Sequence, residues 1–157
     1  MRVKWKPLIV SVLLALAAGG IGALLGGGMG SYAELIQPPL SPPGWVFPVV
    51  WTTLYILMGV AAYRVYELTG HAAARRTALR LYALQLVVNA LWPGFFFGLG
   101  LFWAAAVWLG ILCVLVAMTM SKFRALDDLA GMLLAPYMLW CVFALYLNLG
   151  VAILNQA

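Results

Sequence analysis

Three short stretches carry aromatic and amide side chains at helical spacing. Trp51, Tyr55 and Met58 are four and three residues apart, so they share one face of a helix. Gln85, Asn89, Trp92 and Phe96 follow at four, three and four. Tyr137, Trp140, Ala144 and Asn148 follow at three, four and four. Each stripe sets a hydroxyl or amide beside flat rings. Rings give a planar apolar ligand stacking area, and a few convergent polar groups orient it. An aromatic stripe alone is usually packing or an interfacial belt. The amides tilt the balance, because Gln85, Asn89 and Asn148 would cost free energy facing lipid and should point inward. For Asn148 interhelical hydrogen bonding and a ligand contact weigh about evenly, and for Asn89 a ligand contact is favoured.

Other chemistries lack their residues. His71 is the single histidine, in a basic segment, so no metal site or bis-histidine haem ligation is expected. No acid or histidine lies in an apolar stretch to serve a Ser/His/Asp arrangement or a carboxylate proton relay. No cofactor is expected. The net charge of +5 comes from nine basic residues separated by long apolar runs, a pattern of topology rather than of nucleic-acid binding. Cys113 and Cys141 both lie in apolar runs and read as packing residues.

The elements that must position the stripes are membrane helices. Hydrophobic residues make up 66% of the 157 and charged residues only 8%, against about 25% charged in soluble domains. Spans of about 20 apolar residues are expected at 8–29, 45–66, 78–98, 101–120 and 129–154, in a single domain over 1–157. The second cannot start earlier, because Pro38, Pro39, Pro42 and Pro43 exclude a helix interior. The charge-free run 81–121 is too long for one span, and Gly98-Leu99-Gly100 divides it. The expected fold class is an all-α membrane protein, a five-transmembrane-helix bundle. Arg2, Lys4 and Lys6 before an apolar stretch also describe a secretory signal peptide, but four further spans favour a retained first helix.

Five spans put the N-terminus and loops 64–80 and 122–128 on one side. All nine Lys and Arg fall there and none on the other. Basic residues stay cytoplasmic on insertion. In a bacterial inner membrane the N-terminus is therefore expected in the cytoplasm and the C-terminus outside.

The proline loop ahead of Trp45 reads as a stiff connector or as a lid over a cavity mouth. Pro93, four residues after Asn89, should break a backbone hydrogen bond at the level of that amide, and Pro136 should bend the fifth span near Tyr137 and Trp140. Gly22/Gly26 and Gly94/Gly98 fit a small-xxx-small pattern, which reads as packing inside the bundle or as a dimer seam.

These blocks resemble the translocator-protein family (TspO/MBR, also called tryptophan-rich sensory proteins and peripheral-type benzodiazepine receptors). The matching residues are Pro42 to Pro48 with Trp51 to Tyr55, then Met58-Gly59, Tyr82, Gln85-Leu86 and Asn89. Trp92-Pro93 with Phe96-Phe97-Gly98 follows, and then Pro136-Tyr137, Trp140, Phe143-Ala144 and Leu147-Asn148. The resemblance takes in nearly the whole chain. It implies a five-helix bundle, often a homodimer, with a ligand cavity under the first loop. Its ligands are porphyrins, sterols and isoquinoline or benzodiazepine-like compounds. By residue match it makes Trp51, Asn89, Trp92, Trp140 and Ala144 cavity residues. With the stripes and the loop, the candidate ligand-binding set is Tyr32, Trp45, Trp51, Tyr55, Asn89, Trp92, Phe96, Tyr137, Trp140, Ala144 and Asn148. Two departures stand out. Leu40 occupies a loop position where the family usually has Trp, and residues 149–157 lack the Tyr and basic residue of the vertebrate sterol motif.

The expected function is a porphyrin-binding sensor or carrier in the lipid bilayer. One alternative is a light- and oxygen-dependent porphyrin-degrading enzyme, in which Trp51 and Trp140 would be catalytic, as the resemblance implies for some bacterial members. Another is a small exporter of apolar drugs. The expected site lies between the faces of spans two, three and five, with Trp140 as its floor.

Overall fold

A computed structural model describes residues 3–27 and 30–155. Six α-helices build it: α1 (Trp5–Leu25), α2 (Val46–Tyr66), α3 (Ala72–Pro93), α4 (Phe102–Leu126), α5 (Asp128–Leu133) and α6 (Ala135–Leu154). No strand occurs among the described residues. Five stretches are long and apolar enough to cross a membrane: Trp5–Leu25, Val46–Tyr66, Ala72–Gly98, Phe102–Leu126 and Asp128–Leu154.

The ends differ from the sequence expectation for local reasons. α1 stops at Leu25 because Gly27 takes a left-handed backbone, φ +68°. The rest of the expected first span, residues 28–29, lies outside the described residues. α3 begins at Ala72, well before the expected 78, and carries Arg75, Arg76 and Arg80 on turns that precede its apolar part. Arg75 caps the preceding segment by donating to the carbonyls of Tyr66 and Leu68. At its other end Pro93 cannot donate to the helix ladder, and the chain passes into a single wide π turn over Gly94–Gly98. The fifth span is broken at Leu134, and Pro136 sits in the first turn of α6, where its missing N–H costs little.

α1 packs on α2 and α3, α4 on α3, α5 and α6, and α5 on α2, while α2 meets α6 at only a few points. Two close crossings lock α1 in place. At Gly59 an added Cβ would lie 2.5 Å from Val12 Cα, and Ser11 Oγ donates to the Gly59 carbonyl at 2.7 Å. On the other side, Cβ atoms at Gly22 and Gly26 would meet Ala90 and Pro93, and those at Gly94 and Gly98 would meet Leu25. Both small-xxx-small patterns are thus used face to face in the α1–α3 seam. Below, Met58, Ala61, Val65, Leu109, Leu112, Val116 and Phe123 form the buried core.

On the basic side, Arg64 holds Asp127 through Nη2–Oδ2 at 2.7 Å and Nε–Oδ1 at 3.2 Å. The same carboxylate accepts the Ala130 N–H at 2.8 Å and so caps α5. Burial pushes the Asp127 carboxyl up, but the hydrogen bonds from Arg64 and Ala130 outweigh it and hold the group below its ordinary value. Lys4 pairs with Glu67 at 2.6 Å.

The proline loop is tied to the far end of α6. Asn155 accepts the Ile36 N–H at 2.9 Å and donates to the Ile36 carbonyl at 2.8 Å. Tyr146 donates to the Pro39 carbonyl at 2.9 Å. Gly150 has Pro38 seated where a Cβ would be, 2.5 Å away. Leu40 stands exposed in a left-handed conformation, φ +66°, between the two proline pairs.

Candidate ligand site

The glycine face of α1 leaves room beside the aromatic face of α2. Gly19 has no Cβ because the Tyr55 ring occupies its place, 2.2 Å from where the atom would stand. Gly20 faces open space. A cavity of about 380 Å³ results, lined by Leu16, Gly19, Gly20, Ala23 and Gly26 of α1, by Phe47, Pro48, Trp51, Thr52 and Tyr55 of α2, and by Asn89, Trp92, Pro93 and Phe97. It therefore opens between α1, α2 and α3, whereas the stripes alone pointed to spans two, three and five.

The stripes are held by a buried polar chain. Tyr55 OH donates to Asn89 Oδ1 at 2.6 Å, Asn89 Nδ2 donates to Tyr137 OH at 2.8 Å, and Tyr137 OH donates to Gln85 Oε1 at 2.7 Å. One amide thus joins α2, α3 and α6 behind the cavity wall. Trp51 stacks on Tyr55 with ring centroids 5.7 Å apart and meets Tyr137 edge-on at 6.2 Å. Higher up, Trp92 Nε1 donates to Asn148 Oδ1 at 3.0 Å, and Asn148 Nδ2 donates to the Phe102 carbonyl at 2.8 Å. This fixes the Trp92 indole as a wall. Such a surface offers stacking area, and Asn89 is its one side-chain amide.

No group of three or more His, Cys, Asp or Glu that could hold a metal occurs among the described residues. The profile of the TspO/MBR family matches residues 11–154. The chain belongs to the TspO/MBR family. It is 38% identical over 155 residues to the tryptophan-rich sensory protein of Cereibacter sphaeroides, covering 99% of this chain and 95% of that one. It is 39% identical over 151 residues to the translocator protein of Homo sapiens, covering 94% and 89%, and 36% identical over 151 residues to that of Ovis aries, covering 94% and 89%. With five apolar helices of sufficient length, this family member is an integral, multi-pass membrane protein.

The expected site residues fall in five places. Trp51, Tyr55, Asn89 and Trp92 line the cavity. Tyr137, Phe96, Asn148 and Ala144 are buried behind it: Tyr137 against Trp51, Phe96 stacked on Trp92 at 5.2 Å, Asn148 on the Trp92 indole, and Ala144 in the core. Tyr32 lies under the loop, edge-on to Phe47 at 5.1 Å and to Phe97 at 6.4 Å. Trp45 precedes α2 and is exposed. Trp140 lies apart from the cavity, in a separate apolar groove of about 520 Å³ between α2 and α6 with Val49, Val50, Thr53, Leu54, Leu57, Pro136, Leu139 and Phe143. The α1 face is what the stripe reading missed. Its signal was present, because Gly19, Gly20 and Ala23 form a patch of small residues on one face of α1.

Proposed function

We propose that the chain binds a flat, largely apolar ligand of the tetrapyrrole class in this cavity and serves as a membrane sensor or carrier for it. The observation that carries the reading is the aromatic wall of Trp51, Tyr55, Trp92, Phe47 and Phe97 around Asn89. Its volume of about 380 Å³ falls in the roughly 300–1,000 Å³ range of small-molecule sites. The sensory and translocator names of the relatives agree with a role that begins with ligand capture. Sterols and isoquinoline-like compounds share the same planar apolar chemistry. The side of the bundle bearing the proline loop has no Lys or Arg, so porphyrin carboxylates stay at the solvent mouth or meet neutral donors. We place the N-terminus in the cytoplasm of a bacterial host, on the charge asymmetry.

Purified protein titrated with protoporphyrin in the dark tests this. Saturable binding that weakens in Trp51→Ala and Asn89→Ala supports it, and binding untouched by a Trp51→Ala, Asn89→Ala, Trp140→Ala triple change refutes the placement. A second reading, light- and oxygen-dependent porphyrin degradation, draws support from Trp51, whose ring lies in the cavity wall and stacks on Tyr55 at 5.7 Å. In that case a photoexcited porphyrin exchanges an electron with the indole, and illumination of the bound complex destroys porphyrin in wild type but not in Trp51→Phe.

A further inference from the structure

α2 is the shared wall of two spaces. Phe47, Trp51 and Tyr55 face the cavity, and Val50 and Leu54 face the groove on the other side, with Trp140 across it. The two tryptophans Trp51 and Trp140 therefore face different spaces. Where the two spaces approach, in the first turn of α2, Phe47 stands between them. Its ring is edge-on to Trp140 at 5.9 Å and to Tyr32 at 5.1 Å, while its other side lines the cavity. The Phe47 side chain carries no polar anchor, and the aromatic packing that holds it is two edge-on rings, Tyr32 and Trp140. Behind it, the Trp140 indole N–H is buried with no acceptor among the described residues. An unsatisfied buried donor is costly, and a ligand oxygen or nitrogen reaching it would remove that cost. α2 also meets α6 at only a few points, so little backbone packing closes the space between Phe47 and the groove.

We propose that Phe47 is a size-selecting partition. This rests on the proposed ligand site. Compact ligands of two or three rings bind in the cavity with Phe47 in place. A macrocycle is admitted only when the Phe47 ring swings off Trp140, which merges the cavity with the groove. Its far edge then lies on the Trp140 indole, whose N–H donates to a ligand acceptor. Capture of the macrocycle is thus limited by the population of the swung conformer, and capture of the compact ligand is not.

The test uses the full chain in lipid nanodiscs, with protoporphyrin as the macrocycle and an isoquinoline carboxamide as the compact probe, both in the dark. Phe47→Ala speeds protoporphyrin association by about tenfold, as expected if the swung conformer is a minor state in wild type, and weakens the compact probe, which loses a wall. Phe47→Trp slows protoporphyrin association. Phe47→Leu, which keeps apolar bulk should Phe47→Ala fold poorly, lies between wild type and Phe47→Ala. Trp140→Phe weakens protoporphyrin and leaves the compact probe unchanged. Changes in the same direction for both probes, or protoporphyrin kinetics indifferent to Phe47 and Trp140 in a wild type that binds it, overturn the partition and leave the ligand site standing. Absence of protoporphyrin binding in both wild type and Phe47→Ala removes the functional reading itself, and the partition with it.

Discussion

The Tyr55 hydroxyl and the Asn89 side-chain oxygen are 2.6 Å apart, and this bond joins α2 to α3 on the wall of the cavity. The same amide passes the contact on to Tyr137 of α6, so one residue sets the spacing of three helices. Interhelical bonds of this kind are individually modest, about 0.6 kcal/mol on average and up to about 1.7 kcal/mol. Tyr55→Phe should cost near the average. Asn89→Ala should cost about 1–2 kcal/mol, because it strands the Tyr55 hydroxyl and removes the donor to Tyr137, which keeps only its bond to Gln85. Thermal unfolding in one detergent, with Tyr55→Phe, Asn89→Ala and the double variant, checks this. An additive double variant would show that the two groups do not interact.

The α1–α3 seam makes a sharper stability prediction. A Cβ at Gly98 would lie 2.7 Å from the Leu25 carbonyl oxygen, a backbone atom that cannot turn aside, whereas one at Gly20 or Gly110 meets nothing within 4 Å. Gly98→Ala should destabilise by about 1–3 kcal/mol through overpacking. Gly20→Ala and Gly110→Ala should be neutral or slightly stabilising, since Ala favours the helix by about 1 kcal/mol over Gly. Equal melting temperatures for all three would contradict the seam.

Acid should loosen the basic end of the bundle. The Asp127 carboxyl is held below its ordinary value, so its contribution is present above the unfolded carboxyl value of about 3.9 and is lost as pH falls through the lower folded value. Wild type should lose stability on acidification below about pH 4. Asp127→Asn should start lower and show a flatter acid limb, because the Arg64 pair and part of the α5 cap are already weakened. Parallel acid limbs in the two proteins would show that Asp127 does not set this dependence.

Ligand affinity should follow the cavity wall rather than the aromatic count. Trp51→Ala should weaken dark protoporphyrin binding by about tenfold, roughly 1.4 kcal/mol, in line with the worth of an aromatic contact. Trp45→Ala, at an exposed position outside the wall, should leave it unchanged. Absorbance titration of both variants decides the point.

Reporter fusions at the two termini should give opposite signals, the N-terminal one cytoplasmic and the C-terminal one outside. Two signals from the same side would mean an even number of crossings and would defeat the charge argument.

The span count was legible because charge and proline bound each apolar run: Glu34 and the four prolines fence off α2, and Gly98 to Gly100 divide α3 from α4. The ends were less so. Apolarity marks where a helix enters lipid, not where it begins, which hid the first turns of α3 around Arg75 and Arg76. The α2 and α3 stripes were legible through Trp51, Tyr55, Asn89 and Trp92, because helical spacing puts them on one face. Which neighbour those faces meet was not, since periodicity gives a direction on each helix and no rotation between helices. Gly19 and Gly20 held the missing information. An absent side chain leaves room for a cavity, and a search for chemically active residues passes over it. Asn148 was open by type to a ligand contact or an interhelical bond, and its position supplies the second, to the Trp92 indole and the Phe102 carbonyl.

The two-way bond between Asn155 and the Ile36 backbone has a consequence for biosynthesis. The loop after the first helix leaves the ribosome early, while the residues that fasten it, Tyr146, Gly150 and Asn155, all lie in or just past α6. Until α6 has been made, the loop has none of these partners to close against. The Asn155 clasp comes after the other two, so a nascent chain halted between Gly150 and Asn155 holds Pro38 and Pro39 against α6 while Ile36 still lacks its two-way bond.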